Sequence, residues 1–288
     1  MAPPILVVGA TGTVGTELVP ELVRLGQDVR VLARDPRRAA ERLGPQVEIV
    51  AGDLLDPTSL ASALEGVEVA SLATTPTPRL HELEGNFIAA ASAAKLRRLV
   101  KLSAFGIDFA RDRIHLAHAE SERLLRASGV AHVVVRPVVF MSNLLFEAAA
   151  IRTGRLPSSF GDGRMSFVDP RDVAELMARA LIEPRHEGAI WELGGPAALS
   201  YDELAATLTR VLHRCVEHVR LEPSAFSEAA LSAGLPHFVV ESIVDTAVHT
   251  RAGKFATNDD VVLRVLGRRA HDFGDWVARH RHAFGVGS

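Results

Sequence analysis

The feature that most limits the fold is Gly9-Ala10-Thr11-Gly12-Thr13-Val14-Gly15, a GxxGxxG run directly behind the apolar stretch Ile5-Leu6-Val7-Val8. A strand that enters such a turn and leaves it as a helix lets backbone amides approach a pyrophosphate, while the helix N-terminus supplies partial positive charge. Gly9, Thr11, Gly12, Thr13, Val14 and Gly15 are therefore read as a dinucleotide-binding loop. A glycine turn used only for packing is the competing reading. The strand before the motif, the helix after it and the further strands downstream favour the dinucleotide.

Those further strands are expected at 28–33, 47–51, 67–73, 99–102 and 132–136, where short β-branched runs alternate with amphipathic segments. Leu18, Leu22 and Leu25 mark one helical stripe, and Leu83, Phe87, Ile88 and Ala91 another. The alternation predicts an α/β fold with a doubly wound parallel sheet of the Rossmann kind. After Pro137 the pattern changes. A helix near 143–152 leads into a Gly-, Pro- and Ser-rich stretch at 154–163, read as a surface loop. Asp169-Pro170 opens a helix with Val173, Leu176, Met177, Ala180 and Leu181 on one face, and a strand follows at 190–193. Ser200 and Glu203 have capping-box spacing, which puts Tyr201 in a first helical turn. Cys215 is read as a small apolar side chain, and the chain from Pro223 onward as mostly helical. The expected division is a dinucleotide-binding domain over 1–152, its sheet completed within 165–195, and a smaller, mostly helical substrate or lid domain over 153–288.

Charge and composition narrow the partners. With 32 basic against 35 acidic residues and no long block of lysine or arginine, nucleic acid is not an expected partner. Met1 leads into Ile5-Leu6-Val7-Val8 with no basic leader, and no later run is long enough to span a bilayer. A single cysteine forbids an intrachain disulfide. A reducing, cytoplasmic setting without membrane contact is the expectation. No residue pattern reports on oligomeric state.

Nineteen residues beyond Gly15 stands Arg34, at the end of the second expected strand, where an NAD-selective domain commonly places an acid for the ribose hydroxyls. A guanidinium there suits a 2′-phosphate, so NADP(H) is the expected cofactor. Arg37 and Arg38, behind the helix start Asp35-Pro36, would add positive charge near the same phosphate; the competing reading is a solvated helix N-terminus with incidental arginines. Asp53 and Leu54 follow the third strand. There Asp53 either lies near the adenine ring or serves as a cap or loop residue.

These segments resemble the NmrA-like family of atypical short-chain dehydrogenase/reductases. The resemblance runs through Val7 to Gly12, Leu32 to Pro36, Gly52-Asp53-Leu54, Leu102-Ser103-Ala104, Glu122, Ser128-Gly129 and Arg136-Pro137. It continues through Phe140 to Asn143, Phe167 to Ala174 and Gly194-Gly195-Pro196. It implies a Rossmann core, a small C-terminal substrate domain and an active cleft between them. It also implies that Ala73, Thr74 and Thr75, and the segment from Pro137 to Val139, flank the nicotinamide.

The Tyr-x-x-x-Lys pair of ordinary short-chain dehydrogenases is absent: the one tyrosine, Tyr201, is followed four residues later by Ala205, and the lysines are Lys95, Lys101 and Lys254. Counted back from Glu122, the position similar to the family lysine is His118, and that of the tyrosine is Ile114. Ser103 stands where the ordinary enzymes place a substrate-orienting serine. His118 and Ser103 are thus the candidate catalytic residues. His118 would titrate near neutral pH as a general acid, or would be a surface histidine. Ser103 would orient substrate or serve only as a strand-end hydrogen bonder. His115, His118 and Glu122 share a helical face, but nothing else completes a metal site, and none is expected. The leading functional reading is an NADPH-dependent reductase passing hydride to a quinone, enone or aromatic carbonyl in a cleft lined by Phe105, Phe140, Met141 and Phe160. A non-enzymatic NADP(H) sensor, and an isomerase or tailoring enzyme with bound nucleotide, are the alternatives.

Overall fold

The computed structural model describes residues 3–257 and 260–286. Its first half alternates β1 (Ile5–Val8), α1 (Gly15–Arg24), β2 (Val29–Ala33), α2 (Pro36–Leu43), β3 (Glu48–Ala51), α3 (Pro57–Leu64), β4 (Val69–Leu72), α4 (Leu80–Ala93), β5 (Arg98–Leu102), α5 (Arg113–Ala127) and β6 (Ala131–Pro137). Local chemistry sets several boundaries. Asp35 accepts from the Arg38 amide at 3.0 Å and Asp56 from the Thr58 amide at 3.0 Å, each with proline at the first helical position. Beyond β6 come β7 (Val139–Phe140), a 3₁₀ segment (Met141–Glu147), α6 (Ala148–Arg152), β8 (Arg155–Ser158), β9 (Met165–Val168), α7 (Pro170–Ile182), β10 (Ile190–Leu193) and β11 (Ala198–Leu199). The chain ends with α8 (Tyr201–Leu212), β12 (Glu217–Arg220), α9 (Pro223–Ser232), α10 (His237–Arg251), α11 (Val261–Leu266) and α12 (Phe273–Arg279).

The main sheet has seven strands in the order β10-β6-β5-β4-β1-β2-β3, parallel from β6 through β3. Sequence order reverses between β1 and β4. A crevice opens at such a switch point, outside the carboxyl ends of the strands, and dinucleotides bind there. Leu6, Val8, Leu32, Ala70, Leu72, Leu99 and Val134 form one core with Leu60 of α3, Phe87 and Ile88 of α4 and Leu125 of α5. Alternate strand residues point the other way, toward the layer in which α7 packs on α1, β4 and β5. This is the doubly wound parallel sheet expected from the sequence.

The chain divides into two compact units. One holds the residues up to Phe105 with 116–136 and 170–191; the other holds 106–115, 137–169 and the chain from Glu192. In the second unit β7, β9 and β11 form a three-stranded sheet, β8 pairs with β12, and α9 to α12 make its end mostly helical. The stretch at 154–163 is therefore not only a surface loop. Its first residues form β8, paired from Arg155 to Ser158 with Glu217 to Arg220, and Leu156 is fully buried.

Candidate active site

The glycine loop separates into two positions where a side chain would overlap the backbone and one where it would make a single tight contact. Gly9 turns the chain at φ +83°, and a Cβ on it would lie 2.0 Å from the Ala73 carbonyl oxygen. A Cβ on Gly15 would lie 2.2 Å from the Gly9 carbonyl oxygen, where α1 starts against the loop. Packing alone accounts for both. Gly12 is outside the left-handed region and half-buried, and a Cβ there would meet only the Gly9 oxygen at 3.3 Å. That contact is tight but far milder than those at Gly9 and Gly15. Among the described residues, the amides of Thr13, Val14 and Gly15 have no hydrogen-bond partner, and the N-terminus of α1 has no side-chain cap. Thr11 and Thr13 are exposed beside these amides, and Val14 is buried. The loop therefore fits a pyrophosphate laid over Gly12 and bonded by these donors.

Arg34 follows β2 directly and is exposed, with no ion-pair partner among the described residues. Arg37 and Arg38 are exposed as well, and Arg37 reaches Glu41 at 3.4 Å. Asp53 makes a turn: its carboxylate accepts from the Leu55 amide at 2.9 Å and its own amide donates to Ser59 Oγ at 3.0 Å. Leu54 is half-buried, and its carbonyl accepts from Asn86 at 3.0 Å.

On the other side of the switch point, the Ala73 amide donates to the Val8 carbonyl at 3.2 Å, which fixes the start of the loop after β4. Thr75 is exposed, whereas the Thr74 hydroxyl donates to Glu84 Oε1 of α4 at 2.8 Å. Glu84 and Lys101 of β5 form a fully buried ion pair at 2.8 Å. The same ammonium lies 3.1 Å from the Leu102 carbonyl and 3.2 Å from Nδ1 of His118 on α5. His118 is thus not a surface histidine. It is buried, 6% exposed, against a cluster that runs through Glu84 to the loop at Thr74.

Ser103, at the end of β5, donates to Glu122 Oε1 at 2.7 Å. Arg136 grips the same carboxylate through two bonds, 3.0 and 2.7 Å, and Arg126 reaches it at 3.1 Å. Burial acts to raise the Glu122 carboxyl, but the bonds from Arg136 and Ser103 outweigh it and hold it below the usual carboxylate range. The hydroxyl proton of Ser103 is therefore committed to an anion inside the unit. Pro137 closes β6 and is buried.

His115, His118 and Glu122 turn to separate partners: His115 bonds Asp112 through Nδ1, His118 meets Lys101, and Glu122 binds Arg136. Among the described residues, no group of three His, Cys, Asp or Glu side chains is arranged to hold a metal. Tyr201 starts α8 behind the capping box of Ser200 and Glu203, stacks on Phe160 at 5.0 Å, and has its phenol pushed up by burial. Two expectations need correction. Phe160 is buried in that stack rather than open to a cleft, and Cys215 is exposed, because it lies in the turn between α8 and β12. Phe105 and Phe140 are half-buried, and Met141 is buried beside Phe167 and Phe273 around a cavity of about 190 Å³.

Glu84 and Lys101 escaped the sequence reading, although each left a mark. Glu84 lies on the buried stripe Leu80, Phe87, Ile88 and Ala91 of α4, and Lys101 interrupts the apolar run of β5. A charge at a core position needs a buried partner of opposite sign.

Comparison with known proteins agrees with this geometry. The NAD(P)H-binding family (NAD_binding_10) matches residues 9–184. A (4-alkanoyl-5-oxo-2,5-dihydrofuran-3-yl)methyl phosphate reductase of Streptomyces griseus is 40% identical over 97% of this chain and 99% of its own length. An NAD(P)H azoreductase of Xenophilus azovorans is 33% identical over 98% of this chain and 99% of its own. Among solved structures, the NADPH-dependent quinone oxidoreductase of Escherichia coli complexed with NADPH superposes with a TM-score of 0.88 at 26% identity, covering 96% of this chain and 99% of that one. A family match over residues 9–184 and full-length relatives at 40% and 33% identity, on a sheet whose strand order reverses beside the glycine loop, show that the chain belongs to the NmrA-like, NAD(P)H-binding family.

Proposed function

We propose that the protein is an NADPH-dependent reductase that passes hydride to a quinone-like or conjugated carbonyl acceptor. The observation that carries this reading is the run of unpaired amides at Thr13, Val14 and Gly15, beside a Gly12 whose added Cβ would meet a single atom, the Gly9 oxygen, at 3.3 Å. Full-length similarity to reductases whose names specify NADPH, a quinone, an azo compound and an oxo-dihydrofuran supplies the reaction class.

The dinucleotide, when bound, supplies a hydride from C4 of its nicotinamide. The rest is the work of the chain. The amides of Thr13, Val14 and Gly15 bind the pyrophosphate, and Arg34 pairs with the 2′-phosphate. Ala73, Thr74, Thr75 and Pro137 flank the nicotinamide, with Thr74 anchored from behind by Glu84. Ser103 acts through Glu122, keeping the end of β5 in register with α5 and β6. Quinones and enones suit a site without a tyrosine acid, because the charge that arrives with the hydride delocalises over the conjugated system.

Anaerobic NADPH oxidation against a panel of quinones, enones, azo dyes and simple aldehydes tests the assignment. Turnover with conjugated acceptors and little with aldehydes is expected. Tight NADPH binding with no acceptor oxidising it faster than the protein-free control would replace the reductase with a sensor.

A further inference from the structure

We propose that Lys101 is a positioning residue: it fixes His118 as a neutral imidazole with its proton on Nε2, so that His118 serves the reaction as a hydrogen-bond donor and the acceptor takes its proton from water. The second half rests on the reductase reading; the first does not.

An ammonium has three N–H donors and no acceptor. Lys101 lies within hydrogen-bond reach of two acceptors, the Leu102 carbonyl at 3.1 Å and His118 Nδ1 at 3.2 Å, and pairs with Glu84 Oε2 at 2.8 Å by charge, without hydrogen-bond geometry. Nδ1 therefore contributes its lone pair, and the ring proton stays on Nε2. An imidazolium would set a second N–H against the ammonium in a fully buried place. Glu84 does not reverse this, although one oxygen lies 4.0 Å from Nδ1. Its Oε1 accepts from Thr74, and its Oε2, which makes no hydrogen bond among the described residues, lies nearer to the Lys101 ammonium, at 2.8 Å, than to Nδ1. The other charged groups near this turn of α5 are also taken, Glu122 by Arg136 and His115 by Asp112. A buried ion pair is seldom the most stable filling of a core, so a specific use for this one is to be expected.

The consequence differs from the titrating acid that the sequence led us to expect. A neutral imidazole that gave up its Nε2 proton would become an imidazolate, so His118 polarises an oxygen without protonating it, as neutral histidines do elsewhere. The acceptor gains two electrons and one hydrogen as hydride from NADPH, which is oxidised to NADP⁺. It then takes one proton from solvent.

The test is ¹⁵N NMR of the full chain labelled at histidine, with the His118 signals assigned by their loss in His118→Gln. The expected result is the neutral, Nε2-protonated pattern, unchanged between pH 5 and 8, the range in which an unperturbed histidine changes charge. An Nδ1-protonated or cationic ring in the wild type overturns the proposal, whatever the activity. Lys101→Met should let His118 titrate in that range, and Lys101→Arg should keep it neutral. Should Lys101→Met not fold, the double variant Lys101→Met/Glu84→Leu, which removes both buried charges, makes the same comparison. A folded variant without Lys101 whose His118 pattern matches the wild type also overturns it. In turnover, His118→Ala should lower kcat by about 100-fold, the scale of losing one positioned donor. His118→Gln, which keeps an N–H, should recover most of that loss. Equal loss in both would mark an acid instead. Absence of turnover with every acceptor would count against the reductase reading and leave the tautomer to be judged by NMR alone.

Discussion

Replacing each loop glycine by alanine should separate folding from binding. At Gly9 the new Cβ would sit 2.0 Å from the Ala73 oxygen at φ +83°. The left-handed conformation alone costs about 1–2 kcal/mol for an L-residue, and forced overlap in a packed region about 1–3 more. Gly9→Ala should therefore lose roughly 2–5 kcal/mol of stability. Gly15→Ala, at 2.2 Å from the Gly9 oxygen, should also destabilise. Gly12→Ala meets a single contact at 3.3 Å. Its gain of about 0.4–1 kcal/mol from a stiffer unfolded chain offsets that contact, so stability should stay within about 1 kcal/mol of wild type. Binding should not survive so well. A methyl over the loop pushes the pyrophosphate off the amides, and each lost bond to a charged oxygen is worth about 1.5–3 kcal/mol, about ten- to 150-fold in Kd. Gly12→Val should abolish binding in a folded chain. Urea denaturation and calorimetric titration with NADPH measure the two quantities on the same samples. A folded Gly12→Val that binds NADPH like the wild type would refute the argument.

Arg34→Ala should erase most of the preference for NADPH over NADH, expected at about 1.5–3 kcal/mol for one charge-assisted contact and read by titrating both cofactors. Glu122→Gln leaves Arg136 buried without its anion and should cost about 3–5 kcal/mol in urea denaturation, far more than Ser103→Ala. Because the folded Glu122 carboxyl lies below its unfolded value, this contribution is complete above the unfolded value of about 4.3 and fades as pH falls through the folded one. The variant should then lose the acid-induced part of the wild-type stability profile. Ser200→Ala should cost about 1 kcal/mol, the usual price of an N-cap, and leave NADPH binding unchanged.

The parallel sheet was legible because each buried strand is a short β-branched run between turn signals, and helix starts because Asp35-Pro36, Asp56-Pro57 and Ser200 with Glu203 act over a few residues. The small strands of the second unit were not. β7 and β11 are two residues long, which is too short to show a period, and β8 contains Pro157, which a two-stranded edge tolerates but a sequence pattern reads as a loop. The glycine turn between β1 and α1 was legible as a motif, yet only the packing distances separate Gly12 from Gly9 and Gly15. The cluster at His118 was invisible as a unit, because Glu84, Lys101 and His118 come from three different elements and carry no spacing rule. Their trace was a charge out of place in each of two apolar patterns, which is a signal about burial and not about partners.

The most direct measurement of the central claim follows deuterium from C4-labelled NADPH into the product of an enone acceptor under anaerobic conditions. Label on a carbon of the reduced enone, formed by the wild type and not by Gly12→Val, is the predicted result. NADPH that binds tightly yet keeps its label with every acceptor, or a reduced product whose new carbon-bound hydrogen comes only from water, would contradict direct hydride transfer.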